Sequence, residues 1–520
     1  MNIKRYTKLS IIASFVLMFS FTSCVNDLDT LPLDKDIKTE GTVLTGDASY
    51  KELLAKCYAG FVLGGQTGVD GTQDISSIDG GFSSYLRQYW NLQELPTDEA
   101  ICSWADGSLP DIHEMDWNPT NEFITAMYYR INLEITYCNN FIKLTSSNDK
   151  YKEFRSEARM LRALAYSHLI DMFGTGPMLT ETAKIGSFFF PKQATAKELF
   201  TYIEKELKAI EGDLKAPRTN EYGRADQGVA WFVLAKLYLN AKVYIGEDKY
   251  SECITYCNKL INAGYSLEKK YTNLFLADNH LRKNEIIFPI AADGEHSQTW
   301  GGMTFLIHST VGGDMKANEF GIDGGWGGNR STEQFVALFP DTKGTSDKRS
   351  HFYGSKKEAD VVGEFKDGLS LGKFKNITST GVAGQHQGHP DTDFPLFRFA
   401  DVYLMYAEAV LRGGTTGDAG TALKYVNKVR ERAYEGKTGN ITSAQLTLDF
   451  ILDERGRELY WEGHRRSDLR RFGKLTGADY LWSWKGNIRS GQAVDAKYNL
   501  YPIPAADINA NKNLTQTAGY

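Results

Sequence analysis

Apolar residues recur at three- and four-residue spacing over long stretches of this chain, and the residues at the ends of those stretches carry helix start and stop signals. "NPTNEFITAMYYRINLEITYCNNFIKL" (118–144) predicts a helix with Pro119 in its first turn. "EFRSEARMLRALAYSHLIDMFG" (153–174) predicts a second, stopped by Gly174. "TAKELFTYIEKELKAIEGDL" (195–214) opens on a capping box, Thr195 with Glu198 three residues on. Further helices are predicted over 226–244, 249–265, 397–414, 419–436 and 447–463.

Small residues sit where such helices would cross, in "RALAY", "AKLYLNA" and "YAEAVL". The pairs resemble tetratricopeptide repeats, about four of them, in a degenerate register without the clean period of about 34 residues. One pair cannot bury its apolar face alone, so stacking must stabilise the set. The expected fold is dominated by α-helix and carries a large irregular, loop-rich lobe. Residues 65–117 and about 266–394 supply that lobe: they are rich in Gly, Asp, Ser and Thr, with scattered Trp. Long irregular segments inside a compact protein usually serve function. In "GIDGGWGGNR" (321–330) the indole of Trp326 stands among four glycines, a backbone that forms neither helix nor strand readily.

The first residues differ in kind. Lys4, Arg5 and Lys8 precede the apolar run "LSIIASFVLMFSF", which has signal-peptide length and ends at "FTSC". The pattern resembles a bacterial lipoprotein signal with Cys24 as the acylated first residue of the mature chain; an ordinary secretory signal cut near Ser23 is the alternative. Residues 1–23 read as the signal, 24–45 as a polar tether, and 46–520 as one domain. That domain has helical repeats over about 118–265 and 395–472. Removing 1–23 removes three positive charges and no negative ones, so the net charge moves from −6 to −9. Such a balance argues against nucleic acid as a partner. If Cys24 is lipidated, Cys57, Cys102, Cys138, Cys253 and Cys257 remain, an odd number. Cys253 and Cys257 are spaced i,i+4 on one helical face and read as small core residues.

Reactive chemistry is sparse. "HQGHPD" (386–391) places His386 and His389 near Asp391, but in a loop with no second ligand cluster. Asp98 and Glu99 are adjacent, whereas a glycosidase pair must face each other across a cleft. No G-x-S-x-G elbow or Walker loop is present. In "DERGRELYWEGHRRSDLRRFG" (453–473), Glu454, Glu458 and Glu462 form one i,i+4 row beside Arg455, Arg457 and Arg465. That row reads as a structural ion network rather than a catalytic centre. Three tryptophans, Trp104, Trp300 and Trp326, lie in predicted loops next to small or acidic residues. An exposed indole can stack on the C–H face of a sugar; folded inward, it would cap a small core under the loop. The pattern alone leaves both readings open.

"RSEARMLRALAYSHLIDMFGTGP", "RKNEIIFPI", "FPLFRFADVYLMYAEAVLR", "DERGRELYWEGHRRSDLRRFG" and "YPIPAADINANKNLTQTAGY" resemble, in this order, the hallmark blocks of the SusD/RagB family of outer-membrane nutrient-binding lipoproteins. The resemblance runs from Cys24 to Tyr520. It implies four tetratricopeptide-type pairs with a variable lobe, no enzymatic activity, no cofactor, and a SusC-like TonB-dependent transporter as partner. "ELPTDEA", "YGRAD", "WNPTNE" and "LWSWKG" are similar to the starch-binding founder of the family, in which an aromatic arc cradles an α-glucan. By that resemblance Trp300 and Trp326 fall on arc positions, Trp104 matches a tryptophan beside the arc, and Arg87 matches the arginine that helps it hold the glucan. Cys102 stands where the founder has a further tryptophan, and Gly107 where it has an amide, with Asp106 or Ser108 as substitutes. The implied ligand is a neutral oligosaccharide of starch, maltooligosaccharide or dextran type. The implied place is the cell surface, held at the outer membrane by the lipid alone. Peptide binding, as in RagB-type relatives, is the alternative.

Overall fold

The computed structural model describes residues 44–183 and 189–520. The signal segment, Cys24 and most of the tether lie outside the described residues. Residues 44–53 are the described part of a first unit and hold the first turns of helix α1 (Asp47–Ala59). The second unit runs from Leu54 to Tyr520.

The first helix of the compact body after α1 is one the composition hid. Residues 65–117 were expected to be loop, yet Tyr85–Glu94 form α2, in which every residue except Arg87 is buried. Several of its polar residues are bonded inside the protein. Gln93 donates to Asp171 at 2.8 Å, and Glu94 accepts from the backbone of Gly463 and His464 at 2.5 and 3.2 Å. A helix buried all round shows no apolar stripe, and polar residues bonded in the core imitate a surface sequence.

The predicted helices follow with sharper ends. Helix α3 spans Glu122–Thr145; Asn121 caps it by accepting from the amides of Phe123 and Ile124, which leaves Pro119 outside the helix rather than in its first turn. Helix α4 (Lys152–Phe173) stops at Gly174 in a left-handed conformation. Helix α5 (Ala196–Ile210) has the predicted Thr195–Glu198 capping box. The 226–244 segment divides at Asn240 into α6 (Gln227–Leu239), capped by Asp226, and a short helix Ala241–Ile245. Helix α7 covers Tyr250–Asn262.

The stretch 266–394 is less irregular than its glycines suggest. Ile286–Ile290 is a fully buried strand pairing antiparallel with Phe394–Arg398, and Gly302–His308 form the short helix α8. The strand takes Phe397 and Arg398 from the predicted 397–414 helix; the remainder is α9 (Phe399–Leu411). Helices α10 (Ala419–Ala433), α11 (Leu448–Leu459) and α12 (Arg465–Arg471) close the frame.

Helix α3 packs along α4, α6 along α7, and α9 along α10, as sequence-adjacent pairs. Helix α5 lies along α4 and touches α6, while α7 also packs on α9, so the pairs stack into one helical frame. Cys253 and Cys257 are buried inside α7, and all five described cysteines are free and buried.

The charge-dense segment of α11 and α12 lies inside the frame. Glu454 bonds Arg349, Arg430 and Arg457 at 2.7, 2.6 and 2.9 Å. Glu458 meets Arg398, Arg349 and Arg432. Glu462 lies beyond the end of α11, yet still joins the network through Lys373 and Arg398. Asp98 forms a two-pronged pair with Arg465, at 2.7 and 2.8 Å.

Candidate functional site

Arg87 is the one residue of α2 that is only partly buried, and it marks the wall of an open cleft of about 560 Å³. Asp79, Phe82, Asp106, Gly107, Glu122, Phe123, Trp300 and Trp326 line the rest. The guanidinium of Arg87 lies 4.3 Å from the ring centre of Phe305 on α8 and donates to the Gly81 carbonyl at 3.0 Å. Its buried Nε has no partner. Burial lowers its pKa to about 10, so it stays charged at neutral pH. Below it, Trp90 packs edge-on against both Phe305 and Trp461, which fixes α2, α8 and the end of α11 to one another.

The glycines around Trp326 now have a reason. The loop is stitched to the end of α8: the amide of Trp326 donates to His308 O at 2.8 Å, and those of Gly328 and Asn329 donate to Ser309 O at 2.7 and 2.8 Å. A Cβ on Gly325 would lie 2.1 Å from the Val311 carbonyl, and one on Gly328 would lie 2.5 Å from the indole of Trp104. Backbone alone fits there, so the loop can lie flat while the Trp326 side chain projects. The Trp104 loop is fastened to the same segment. Ile101–Cys102 pairs antiparallel with Asn329–Arg330, and Ser103 bonds the carbonyls of Gly328 and Gly327 at 2.9 and 2.7 Å.

Trp300 and Trp326 are 37% and 36% exposed, with ring centres 6.5 Å apart and planes inclined at 51°. They therefore face solvent side by side. Trp326 is backed by a stacked His308 at 4.9 Å. Trp300 is backed by His389 at 5.0 Å, and its Nε1 donates to Asp70 at 2.9 Å. Trp104 lies 6.3 Å from Trp326 but is half-buried; its ring covers Gly328 and its Nε1 donates to the Trp326 carbonyl at 3.4 Å. It stands behind the pair as a support. Asp106 is exposed at the rim, and Ser108 is tied to Glu122. Cys102 is buried on its strand, where burial pushes the thiol up to about 12.

Several contributors were not legible beforehand, among them Asp70, Asp79, Glu122, Phe305 and His308, and His389 was legible only as part of a histidine loop. His386 and His389 belong to the "HQGHPD" loop. Here His386 accepts from the amides of Gly388 and His389, and Asp391 accepts from Gly294 and Gln385. The loop supports Trp300. Among the described residues, no group of three His, Cys, Asp or Glu side chains is arranged to hold a metal ion. Burial and the neighbouring His386 lower the pKa of His389, and burial lowers that of His308, so both rings are neutral backing for the indoles at pH 7.

A family model described as the SusD family matches residues 364–520. Over its whole length the chain is 35% identical to the Starch-binding protein SusD of Bacteroides thetaiotaomicron, covering 99% of that protein. The chain belongs to the SusD family. A SusD-like protein, P25 of Formosa agariphila, is 24% identical over 71% of this chain and 73% of its own. Among solved structures, Surface glycan-binding protein A from Bacteroides fluxus superposes with a TM-score of 0.70 at 20% identity, covering 93% of this chain and 100% of that one. Surface glycan-binding protein A from Bacteroides thetaiotaomicron in complex with laminarihexaose gives 0.68 at 20%, covering 91% and 99%. At that identity the structural likeness establishes the shared SusD fold. Among the described residues no helix is long and apolar enough to cross a membrane.

Proposed function

We propose that this SusD family chain is a cell-surface glycan-binding protein, tethered through Cys24 at the outer membrane. In this reading it captures oligosaccharides of α-glucan type (starch, maltooligosaccharide or dextran) and hands them to a SusC-like TonB-dependent transporter. The observation that carries the reading is the side-by-side exposure of Trp300 and Trp326 over a single cleft. Two platforms inclined at 51° meet the same chain only if that chain bends between them, which favours a curved glucan over a flat ribbon. Each stacked ring contributes about 1 kcal/mol by area, so two platforms with hydroxyl contacts from Arg87 and Asp106 give weak capture. A tether beside a transporter raises the effective concentration and offsets that weakness. The starch named for the 35%-identical relative supports the α-glucan choice.

The chain does not act as an enzyme in this reading. Asp98 is held by Arg465, and Glu99 accepts from the backbone of Trp461, so neither faces the cleft. Affinity electrophoresis of the wild type and Trp326→Ala in gels containing starch, dextran or laminarin tests the proposal. Retardation of the wild type in the α-glucan gels, abolished in the variant, is the expected result; equal mobility of the two proteins would remove Trp326 from the site.

A further inference from the structure

The polar groups around the two indoles are of one chemical kind. Asp79, Asp106 and Glu122 line the cleft, and Asp70 holds the edge of Trp300, whereas Arg87 is the single cation of the lining. Asp70, Asp79 and Asp106 are exposed and Glu122 is half-buried, and none of the four forms an ion pair with a lysine or arginine among the described residues. Each has at most a local neutral bond. Asp79 accepts from the amide of Gly81 at 2.7 Å, Glu122 from that of Ser108 at 3.4 Å, and Asp70 from Trp300. Most of their acceptor capacity is therefore open to solvent and to whatever occupies the cleft. Arg87 attracts Asp79 and Asp106 without forming an ion pair to either, its face lies on Phe305 and one amino group is committed to Gly81, so a single cation stands against four carboxylates.

We infer that this ring of unpaired carboxylates is a charge filter: the cleft accepts uncharged glycans, whose hydroxyls donate to it, and rejects glycans carrying uronate or sulfate groups. This inference rests on the glycan reading above and specifies its substrate class. A hydroxyl brings a donor to a carboxylate oxygen. A uronate brings only acceptors and a like charge, and like charges set against each other in an interface suppress the wrong partner. The cleft is open to solvent, so the rejection acts through screened Coulomb repulsion and must weaken as salt rises.

The test compares one maltooligosaccharide with the same oligosaccharide oxidised at C6 to uronates, titrated by tryptophan fluorescence at about 0.01 M and about 0.5 M salt. The wild type is expected to bind the oxidised ligand about tenfold more weakly at low salt, with the gap narrowing several-fold at high salt. Asp79→Asn combined with Glu122→Gln keeps both acceptors and removes two charges; it is expected to shrink the low-salt ratio several-fold. Equal affinity for the two ligands at low salt would overturn the filter while leaving the glycan reading in place. A salt-independent gap, unchanged in the double variant, would assign the discrimination to shape and also overturn it. Binding of neither ligand would overturn the glycan reading and the filter with it.

Discussion

Two regions of this molecule use the same residue types for opposite ends. Around α11 and α12, Trp461 and Trp482 are buried and the carboxylates of Glu454, Glu458 and Asp468 are each matched by two or more arginines. At the cleft, Trp300 and Trp326 are more than a third exposed, and the carboxylates share one arginine, Arg87, with no direct ion pair to it. The first region pairs its carboxylates internally and keeps them out of reach of a ligand. The second leaves flat apolar faces and hydrogen-bond acceptors unfilled, which is what a recognition surface requires. Density of charge is therefore a poor guide to function here; the discriminating property is whether the partners lie within the chain.

The largest contrast is expected from removing one carboxylate in each region. Glu458→Ala leaves Arg398 and Arg432 buried without their partner, and is expected to cost about 3–5 kcal/mol in urea unfolding. Asp106→Ala, at the exposed rim, should stay within about 0.5 kcal/mol of wild type in the same assay.

The tryptophans give the next contrast. Trp461 is fully buried, so Trp461→Ala should cost about 3–5 kcal/mol of stability. Trp326→Ala should cost less than half as much, and should instead weaken glucan binding about tenfold in a fluorescence or calorimetric titration.

Titration separates a paired carboxylate from an unpaired buried one. Burial alone would raise Glu454 and Glu458, but the surrounding arginines outweigh it and hold both at about 2, below the ordinary 4.5. Groups depressed on folding stabilise the protein above their unfolded pKa, and that contribution is lost as pH falls from about 4.5 to about 2. Glu134 is the reverse case: burial pushes it up to about 8, with only the Cys138 thiol bonded to it. Its folded state favours the proton, so its contribution is greatest below pH 4.5 and is lost as pH rises toward 8. Thermal melts of Glu134→Gln should accordingly show a greater stabilisation relative to wild type at about pH 8 than at about pH 5. A shift that is equal at the two values would show that Glu134 is ionised in both.

The smallest effect concerns Cys102. Its thiol is buried and pushed up to about 12, so an alkylating reagent should leave it unlabelled in the native protein and label it in denaturant, as read by mass spectrometry. Native labelling would show that the strand Ile101–Cys102 opens and that the seam between the Trp104 and Trp326 loops is loose.

The sequence by itself determined the helical frame and the family, because both are written locally. Three- and four-residue periodicity, the Thr195–Glu198 box and the stop at Gly174 depend on neighbours within one or two turns, and the hallmark blocks are contiguous. It also singled out Arg87, Trp300 and Trp326. Only the tertiary structure decided what surrounds them. Asp70 meets Trp300 across 230 positions, and Ser103 meets Gly327 across 224. Helix α2 was hidden because polar residues in it, Gln93 and Glu94, bond groups far along the chain, Asp171 and Gly463. Whether an indole faces water or core depends on what the rest of the chain places behind it. For Trp326 that is His308, and for Trp104 it is the bare backbone of Gly328, contacts that no local pattern specifies.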